Sequence, residues 1–229
     1  MIPTGVKTNH HRELEDALTY LPRKHVTEFR RGEIIYDQEK PSTGISLVIQ
    51  GRVKVSTNLE NGSQVVIGIY CDDQFFGETG LIGASAHAEK ATALEPTSLM
   101  TWSTAEIEEH IEHQPKLGLA LIQMVVNRCL DFEDRLQSLA LDKTPGRIAL
   151  TLVRFAEKMG TRGEDGAVKI PPLTHQLISD YVGTSREIVT FQMNQLRQQG
   201  YIRYSRKAIE VYADALREHL RQKAMSADQ

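Results

Sequence analysis

Cysteine is scarce in this chain, with only Cys71 and Cys129 among 229 residues. Two cysteines this far apart fit neither a disulfide framework nor a four-ligand metal site, and they suit a reducing compartment. Long apolar runs are also missing, because the longest, residues 117–126, is too short to cross a bilayer. The N-terminus has no apolar core of a signal peptide. We therefore expect a globular cytoplasmic protein with no membrane partner.

The motifs of common enzyme classes are absent as well. The sequence contains no His-Glu-x-x-His motif, phosphate loop, nucleophile elbow or paired acid constellation. These motifs hold reacting groups at fixed spacings in metalloproteases, nucleotide-hydrolysing proteins and serine hydrolases. Their absence argues against an enzyme and favours a binding or regulatory function.

The net charge of −3 hides an uneven distribution. Residues 1–142 carry 13 Lys and Arg against 21 Asp and Glu, whereas residues 143–229 carry 14 against 9. A net positive charge at one end only is typical of a protein that approaches phosphates with that end. The acidic part is then the candidate regulatory unit.

Short β-type runs separated by glycine and Asx turns occupy residues 26–102. Many short strands at this spacing favour an antiparallel barrel or sandwich, and Asn61-Gly62 is a strong hairpin signal. A short helix is expected before them, around residues 13–20. The predicted strands cover residues 34–36, 45–49, 53–56, 65–70 and 98–102.

Helical periodicity follows from Thr104, which is expected to cap a first short helix. Pro115 opens a long helix of roughly 40 Å that runs to about Asp142. Its apolar residues recur in alternating steps of four and three, the spacing of a coiled-coil seam. We prefer a second copy of the chain as the cover for this seam, and the alternative is that the barrel covers it within one chain. The seam consists of Gly118, Ile122, Val125, Cys129, Phe132, Leu136 and Leu139, and a second stripe that can serve the barrel consists of Leu117, Leu121 and Met124.

Residues 174–196 have the pattern of two helices joined by a tight turn, after a hinge at residues 144–147, a helix to Met159 and an exposed loop over 160–166. Gly183 permits the positive φ of the corner between the two helices, and Thr184 or Ser185 can cap the second. This pattern predicts a helix-turn-helix, which places the start of its second helix in the major groove of DNA. The apolar faces are Leu177, Ile178 and Val182 on the first helix and Ile188, Val189, Met193 and Leu196 on the second.

A predicted β-hairpin follows the two helices. Its β-rich runs are residues 201–204 and 208–212, and Arg206 and Lys207 lie at its tip. A hairpin with two cations at its tip can contact DNA phosphates. An ordinary αα-hairpin is the alternative interpretation of the two helices, and the basic hairpin counts against it.

Five short motifs accompany these segments, and they are Phe29-Arg30-Arg31-Gly32-Glu33, Ile49-Gln50-Gly51-Arg52-Val53-Lys54-Val55, Phe75-Phe76-Gly77-Glu78, Gly146-Arg147-Ile148-Ala149 and Gly183-Thr184-Ser185-Arg186-Glu187. In this order they resemble the cyclic-AMP receptor and fumarate-nitrate regulator (CRP/FNR) superfamily of bacterial transcription factors over nearly the whole chain. The resemblance implies an α+β protein with three parts. These are a cyclic-nucleotide-binding-like antiparallel β-roll or jelly roll (residues 1–114), a dimerisation helix (115–142) and a winged helix-turn-helix (143–229). It also implies a homodimer that reads a palindromic promoter with helix 184–196 and works with RNA polymerase.

The resemblance places a cyclic-nucleotide pocket at Gly77 and Glu78, which match the Gly-Glu pair that holds the ribose and phosphate. The Arg-Ser pair that follows in the superfamily falls on His87-Ala88 or Ala88-Glu89. Lys90 could replace that arginine only in a longer loop, and it lacks the bidentate guanidinium fork. A buried phosphate without its cation costs about 3–5 kcal/mol.

A second departure lies on the long helix, where Phe132-Glu133 stand in place of the Thr-Ser that hydrogen-bonds adenine in the superfamily. No arginine lies between Arg52 and Arg128. We therefore expect no ordinary response to cyclic AMP, and a pocket filled by the chain's own side chains. The candidate effector-pocket residues are Gly77, Glu78, His87, Lys90 and Phe132.

Other cofactors of sensor proteins are not predicted either. An iron-sulfur centre needs more cysteines than this chain has. Cys129 can act either as a redox switch against its symmetry mate or as a small apolar seam residue. Haem or zinc ligation is disfavoured because no carboxylate-rich or cysteine partner accompanies the histidines at ligand spacing. The histidines considered are His10, His11, His87, His110 and His113.

The resemblance also assigns the DNA contacts. Arg186 is expected to donate to guanine N7 and O6, and Glu187 to accept from a cytosine amine. Thr190 faces the same groove, and Phe191 replaces an arginine frequent in the superfamily and can pack on a thymine methyl. The alternative is that Arg186 and Glu187 are solvated residues at a helix start. The predicted phosphate contacts are Thr174, Ser185, Arg206 and Lys207, and the secondary base-contact candidates are Gln192 and Gln195.

Two functions therefore remain in view. The first is a dimeric transcription regulator that binds double-stranded DNA. The second is a cyclic-nucleotide-binding-like regulatory module that acts through protein partners, with the two helices as a partner surface. The basic hairpin and the Arg186-Glu187 pair favour the first.

Overall fold

The computed structural model describes residues 15–58, 63–83, 89–163, 165–205 and 207–227. The first part of the chain folds into two antiparallel four-stranded sheets, with strand orders β1-β8-β3-β6 and β2-β7-β4-β5. The strands are β1 (Thr27–Phe29), β2 (Ile34–Tyr36), β3 (Gly44–Gln50), β4 (Val53–Asn58), β5 (Gln64–Tyr70), β6 (Phe75–Phe76), β7 (Glu89–Ala93) and β8 (Thr97–Ser103).

All five predicted strands are present, and three further strands were not predicted. β7, with sequence Glu-Lys-Ala-Thr-Ala, is the most informative of the three, because it pairs with both β2 and β4 although it carries two charges. Its alanines Ala91 and Ala93 are buried, so small residues occupy the alternate inward positions where large apolar residues would mark a strand. The predicted Asn61-Gly62 turn lies outside the described residues, and β4 and β5 on either side of it pair in antiparallel register.

The core of the roll contains aromatic and aliphatic side chains from both sheets. Trp102, Phe76 and Leu47 are almost completely buried. The indole Nε1 of Trp102 donates to the carbonyl of Pro22 at 2.9 Å, which satisfies the one polar atom that its burial removes from water. The helix expected around residues 13–20 is a single 3-10 turn, Ala17–Thr19, in the part of that segment that the structure describes.

Two helices follow the roll, α1 (Thr104–His113) and α2 (Pro115–Leu141), and α3 (Thr144–Met159) begins the C-terminal unit, where its buried face lies in one apolar cluster with the next two helices of the chain. The cap of α1 was predicted one residue too late. Ser103, not Thr104, is the N-cap, because its side chain accepts from the backbone N–H of Glu106. The carboxylate of Glu106 in turn accepts from the backbone N–H of Ser103, which completes a capping box. Pro115 stands at the start of α2 as predicted.

Besides α3, the described part of the C-terminal unit contains a third antiparallel sheet, with strand order β11-β12-β10-β9, and three further helices. The predicted exposed loop over residues 160–166 is wrong in part, because β9 occupies two of its residues and pairs with β10. The predicted wing is β11 and β12. The elements are β9 (Thr161–Arg162), β10 (Val168–Ile170), α4 (His175–Val182), α5 (Arg186–Gln198), β11 (Ile202–Tyr204), β12 (Ile209–Val211) and α6 (Ala213–Ala227).

The C-terminal unit packs directly on the β-roll through α4 and β5. Val66 and Ile69 of β5 are buried in the same apolar cluster as Ile178 of α4 and Leu152 of α3. Burial of this kind stabilises by about 25 cal/mol per Å² of apolar surface. The predicted α+β architecture is confirmed. Among the described helices, none combines the length and the apolar character that a bilayer crossing needs.

Candidate nucleic-acid interface and effector pocket

The corner between α4 and α5 has the predicted geometry. Gly183 adopts φ +73°, a left-handed value that residues with a Cβ rarely accept, and its N–H donates to Ser179 at 2.9 Å. Thr174 caps α4 by accepting from Leu177, and Ser185 caps α5 by accepting from Ile188. Two short polar side chains thus begin the two helices that the glycine turns against each other.

The inward faces of the two helices are buried, with one exception to the prediction. Ile178, Val182, Val189, Met193 and Leu196 all lie in the core. Ile188 was assigned to the same face but is 45% exposed. It lies one residue from Val189, and a step of 100° around the helix turns its side chain away from α4.

The outward start of α5 presents the predicted base-reading residues to solvent. Arg186 and Glu187 are exposed, and Phe191 one turn later is 63% exposed. The pKa of Glu187 is lowered by hydrogen bonding to its own backbone amide and then to Ser185, so the carboxylate is charged. A guanidinium, a carboxylate and an aromatic ring therefore share one exposed surface, which we call the reading surface.

Thr190 is tied into a network that the sequence did not reveal. Its hydroxyl donates to the carbonyl of Arg186 at 2.9 Å, and its oxygen lies 2.8 Å from Nδ1 of His175. Nε2 of His175 lies 3.1 Å from the hydroxyl of Tyr204 on β11. The network connects α4, the reading helix and the wing, and it fixes Thr190 on the half-buried flank of the reading surface.

The remaining candidates divide into accessible and inaccessible residues. Gln192, a secondary candidate for base contact, is only 7% exposed, so that assignment is wrong, and Gln195 is half-buried. The predicted phosphate contacts Thr174, Ser185 and Lys207 are exposed. Arg206 lies outside the described residues.

The candidate effector pocket begins at Gly77, which adopts φ +85° and directs the chain into a 3-10 turn, Glu78–Ile82. Glu78 forms an ion pair with Arg128, which reaches in from the middle of α2. The same guanidinium donates to the carbonyl of Phe75 at 2.7 Å and lies 4.8 Å from the ring centroid of Tyr70. The carboxylate predicted to accept a ribose hydroxyl is therefore already engaged by a cation of the same chain.

Aromatic rings fill the space beside that ion pair. Tyr36 and Tyr70 both stack on Phe76, with ring centroids 6.1 and 5.6 Å away. Burial raises the pKa of Tyr70 to about 12 and also raises the pKa of Tyr36, whose hydroxyl has no hydrogen-bond partner among the described residues. The cavity that remains beside Tyr36 and Gly80 has a volume of about 20 Å³, enough for a water molecule.

The other predicted pocket residues do not join Glu78 in the structure. Lys90 is half-buried on β7 and has no described contact with Glu78. The ring of Phe132 lies 5.8 Å from the guanidinium of Arg135 instead of lining the small cavity. His87 lies outside the described residues. Arg128, which sequence spacing did not identify, is the residue that occupies this site.

The seam of α2 is open in the single chain. Ile122 is 62% exposed, Leu136 is 65% exposed, and Val125 and Cys129 are exposed as well. The alternative in which the barrel covers the seam is therefore wrong. Leu117 and Leu121, the second stripe, are buried against the roll as expected.

The cysteines and histidines form no metal site among the described residues. Burial raises the pKa of the Cys71 thiol to about 11, so Cys71 is a protonated, unreactive side chain. His113 contacts the carbonyl of Glu109 at 2.8 Å, while His110 is half-buried one turn earlier.

Known protein families match both units of the chain. The family model of the cyclic nucleotide-binding domain matches residues 26–114, and that of the Crp-like helix-turn-helix domain matches residues 146–218. The two matches stand in the order of the β-roll and the winged helix-turn-helix.

Curated relatives and solved structures agree with this order. The chain is 25% identical to a CRP-like cAMP-activated global transcriptional regulator of Mycobacterium tuberculosis, over 80% of this chain and 81% of the relative. It is also 25% identical to a global nitrogen regulator of Synechocystis, over 82% and 84% of the two chains. Its fold is similar to that of FixK2 from Bradyrhizobium japonicum, with a TM-score of 0.73 and 20% identity over 85% of this chain and 96% of FixK2. Two family matches in tandem and relatives that align along most of both chains show that this protein belongs to the CRP/FNR family of helix-turn-helix transcription regulators.

Proposed function

We propose that the protein acts as a homodimer that reads a palindromic promoter site with α5, the predicted recognition helix 184–196. The exposed Arg186-Glu187 pair in the first turn of α5 carries this proposal. In a helix-turn-helix this turn meets base edges in the major groove, where a guanidinium recognises guanine and a carboxylate recognises the amine of cytosine. Lys207 on the wing supplies a phosphate contact that orients the domain.

The homodimer is supported by the open seam on α2. A helix of 27 residues is about 40 Å long, and its seam carries Ile122, Val125 and Leu136 in contact with solvent. A partner that buried these side chains would gain roughly 1.5–3 kcal/mol of hydrophobic free energy for each one fully buried. A two-fold partner also places two reading helices about 34 Å apart, one turn of DNA.

The proposed sensor does not respond to cyclic AMP in the ordinary way. Glu78 is paired with Arg128, and no arginine is present between positions 52 and 128 to neutralise a cyclic phosphate independently of that pair. A cyclic nucleotide would have to break the ion pair and displace stacked aromatic rings before it could bind. We propose either constitutive DNA binding or another effector, with no resident cofactor, iron-sulfur cluster or haem. Cytoplasmic action with RNA polymerase follows from the function proposed.

Selection from a random duplex pool by the full-length, ligand-free protein tests DNA reading. The expected product is an inverted repeat with half-sites about 10 base pairs apart, bound with a dissociation constant in the nanomolar range. An enriched single half-site would contradict the dimer. No enrichment with or without cyclic AMP would contradict constitutive DNA binding, and it would leave DNA binding that requires another effector or a module that acts through protein partners.

Sedimentation of one seam variant tests the homodimer separately. Ile122→Glu places a charge on the seam and is expected to yield monomers. Asn127→Glu, on the opposite side of the same helix, is the matched control and should leave the dimer intact. Equal behaviour of the two variants would contradict dimerisation through this seam.

Calorimetry with cyclic AMP tests the sensor. No heat of binding is expected at micromolar nucleotide. A dissociation constant in the micromolar range would overturn the proposal that the pocket is closed to this ligand.

A further inference from the structure

A cleft of about 550 Å³ lies where the β-roll, α2, α3 and α4 meet. It is separate from the small cavity beside Tyr36 and shares no lining residue with it. Its volume falls in the range of small-molecule sites, roughly 300–1,000 Å³. Both the sensor and the DNA-reading unit contribute to its walls.

Three cations line this cleft without a carboxylate partner among the described residues. Arg135 donates only to carbonyl oxygens, those of Ile67 at 2.6 Å, Val66 at 3.0 Å and Tyr181 at 3.2 Å. Arg154 is half-buried, and the structure gives it no hydrogen bond or ion pair in the described part of the chain. Lys158 is exposed overall, but its ammonium lies 5.2 Å from the ring centroid of Tyr70, where partial loss of water lowers the pKa of this lysine.

The other charged groups of the cleft leave an excess of positive charge. Arg128 is compensated by Glu78, and Glu157 is engaged by Arg217 outside the cleft. Asp131 acts on Lys158 electrostatically. The two remaining acids, Asp73 and Asp134, are exposed to solvent. The two half-buried cations, Arg135 and Arg154, therefore give the cleft about two uncompensated positive charges, which suits a dianion.

The two tyrosine rings in the cleft already have cationic neighbours, and the other aromatic residues of its lining, Phe75 and Phe155, are buried. Arg128 and Lys158 lie against Tyr70, and Arg135 lies 4.2 Å from the ring centroid of Tyr181. A flat base would have to displace a cation in order to stack on either ring. The site consequently favours a ligand that has no aromatic ring.

We propose that this cleft binds a small non-aromatic phosphate monoester, held by Arg154 and Lys158 with Arg135 at its side. A phosphate monoester carries a charge of about −1.5 to −2 near neutral pH, which matches the excess positive charge. The guanidinium of Arg154 can donate two parallel hydrogen bonds to phosphate oxygens, and Lys158 adds a point charge.

Calorimetric titration of the full-length, DNA-free protein with glucose 6-phosphate tests this site, with glucose as the neutral control. Saturable binding of the phosphate ester alone is expected, in a chloride buffer of low ionic strength. Arg154→Gln and Lys158→Gln should each weaken binding about tenfold or more. Arg162→Gln removes an exposed arginine outside the cleft and should leave the affinity unchanged. Arg154→Lys keeps the charge without the fork and should fall between the wild type and Arg154→Gln.

Thermal unfolding of each variant separates loss of the ligand from loss of the fold. Binding that is absent from the wild type, or weakened as much by Arg162→Gln as by the two cleft variants, would overturn the proposal. Tighter binding of succinate than of glucose 6-phosphate, with the same dependence on Arg154 and Lys158, would overturn the assignment to phosphate. DNA is absent from the titration, so its failure would leave the proposed DNA-reading function standing.

Discussion

Glu78 in the β-roll and Glu187 in the DNA-reading unit are both acidic residues in the first turn of a helix. Of these two acids, Glu78 alone forms an ion pair with an arginine in the described part of the chain, because Arg128 of α2 reaches it. Glu187 is exposed, and its carboxylate keeps oxygen atoms available to a partner from outside the chain. A glutamate in the first turn of a helix is thus paired within the pocket of the roll, whereas on the reading surface it stays open to an outside partner. The difference comes from what the rest of the fold places opposite it.

Energetics explains why the two arrangements persist. The side chains of Arg128 and Glu78 are only 15% and 25% exposed, so either charge alone would be poorly solvated. Arg186 and Glu187 remain in contact with water and incur no such cost while unbound. An open reading surface is therefore compatible with stability, whereas an open charged pocket in the roll is not.

Removing the charge of Glu78 should destabilise the protein, and this is the largest effect that we expect. Glu78→Gln leaves Arg128 half-buried beside a neutral amide, and we expect the free energy of unfolding to fall by about 2–3 kcal/mol. Urea denaturation measures this change. Glu112→Gln, an exposed acid on α1, is the matched control and should stay within about 0.5 kcal/mol of the wild type. Equal stability of the two variants would show that the ion pair does not hold the pocket closed.

Variants of the reading surface should separate sequence reading from phosphate contact. Arg186→Ala is expected to relax the preference at one base pair by about 1–3 kcal/mol, because it removes a bidentate contact with guanine. Lys207→Ala should weaken binding to all sequences alike and reduce the salt slope by about 1. Titration of the selected site and its single-base variants at several salt concentrations measures both. A uniform loss from both variants would contradict the division of roles.

Phe191 gives the reading surface an apolar contact at a position where the superfamily frequently has an arginine. Its ring is 63% exposed one turn after Glu187, where it can pack on a thymine methyl. Replacing the facing thymine with uracil should cost the wild type about 1 kcal/mol, the value of one buried methyl group. Phe191→Ala should bind the thymine and uracil sites equally. A penalty for uracil that persists in this variant would rule out the contact.

Local sequence signals predicted the reading unit better than the pocket. The corner at Gly183, the cap at Ser185 and the wing all depend on residues close in sequence, and they appear as expected. The Glu78–Arg128 pair joins residues 50 positions apart, and no periodic pattern encodes it. β7 was missed because its two charges and three small residues resemble a loop. Ile188 was misplaced because Val189, one residue later, takes the inward position, and a step of 100° turns Ile188 toward solvent.

The smallest expected effect concerns His175, which holds the reading surface to the wing. Because the Thr190 hydroxyl donates to the carbonyl of Arg186, its oxygen can accept from Nδ1 of His175, and Nε2 of the neutral ring can then accept from Tyr204. Burial, and then the positive charge of Arg186, lowers the pKa of His175 below 6.5. The unfolded chain consequently takes up the proton first, and the stability that depends on the neutral ring is complete above pH 6.5 and declines as the pH falls below it.

Denaturation at pH 7.5 and pH 5.5 should show this decline in the wild type, by less than the effect of Glu78→Gln. His175→Gln has no titrating ring and should lose stability less steeply over the same interval. The His175 resonances provide an independent measurement, with an expected midpoint below 6.5. A midpoint above 6.5 would mean that the folded chain stabilises the charged ring, and the reading surface would then be held most firmly in acid rather than at neutral pH.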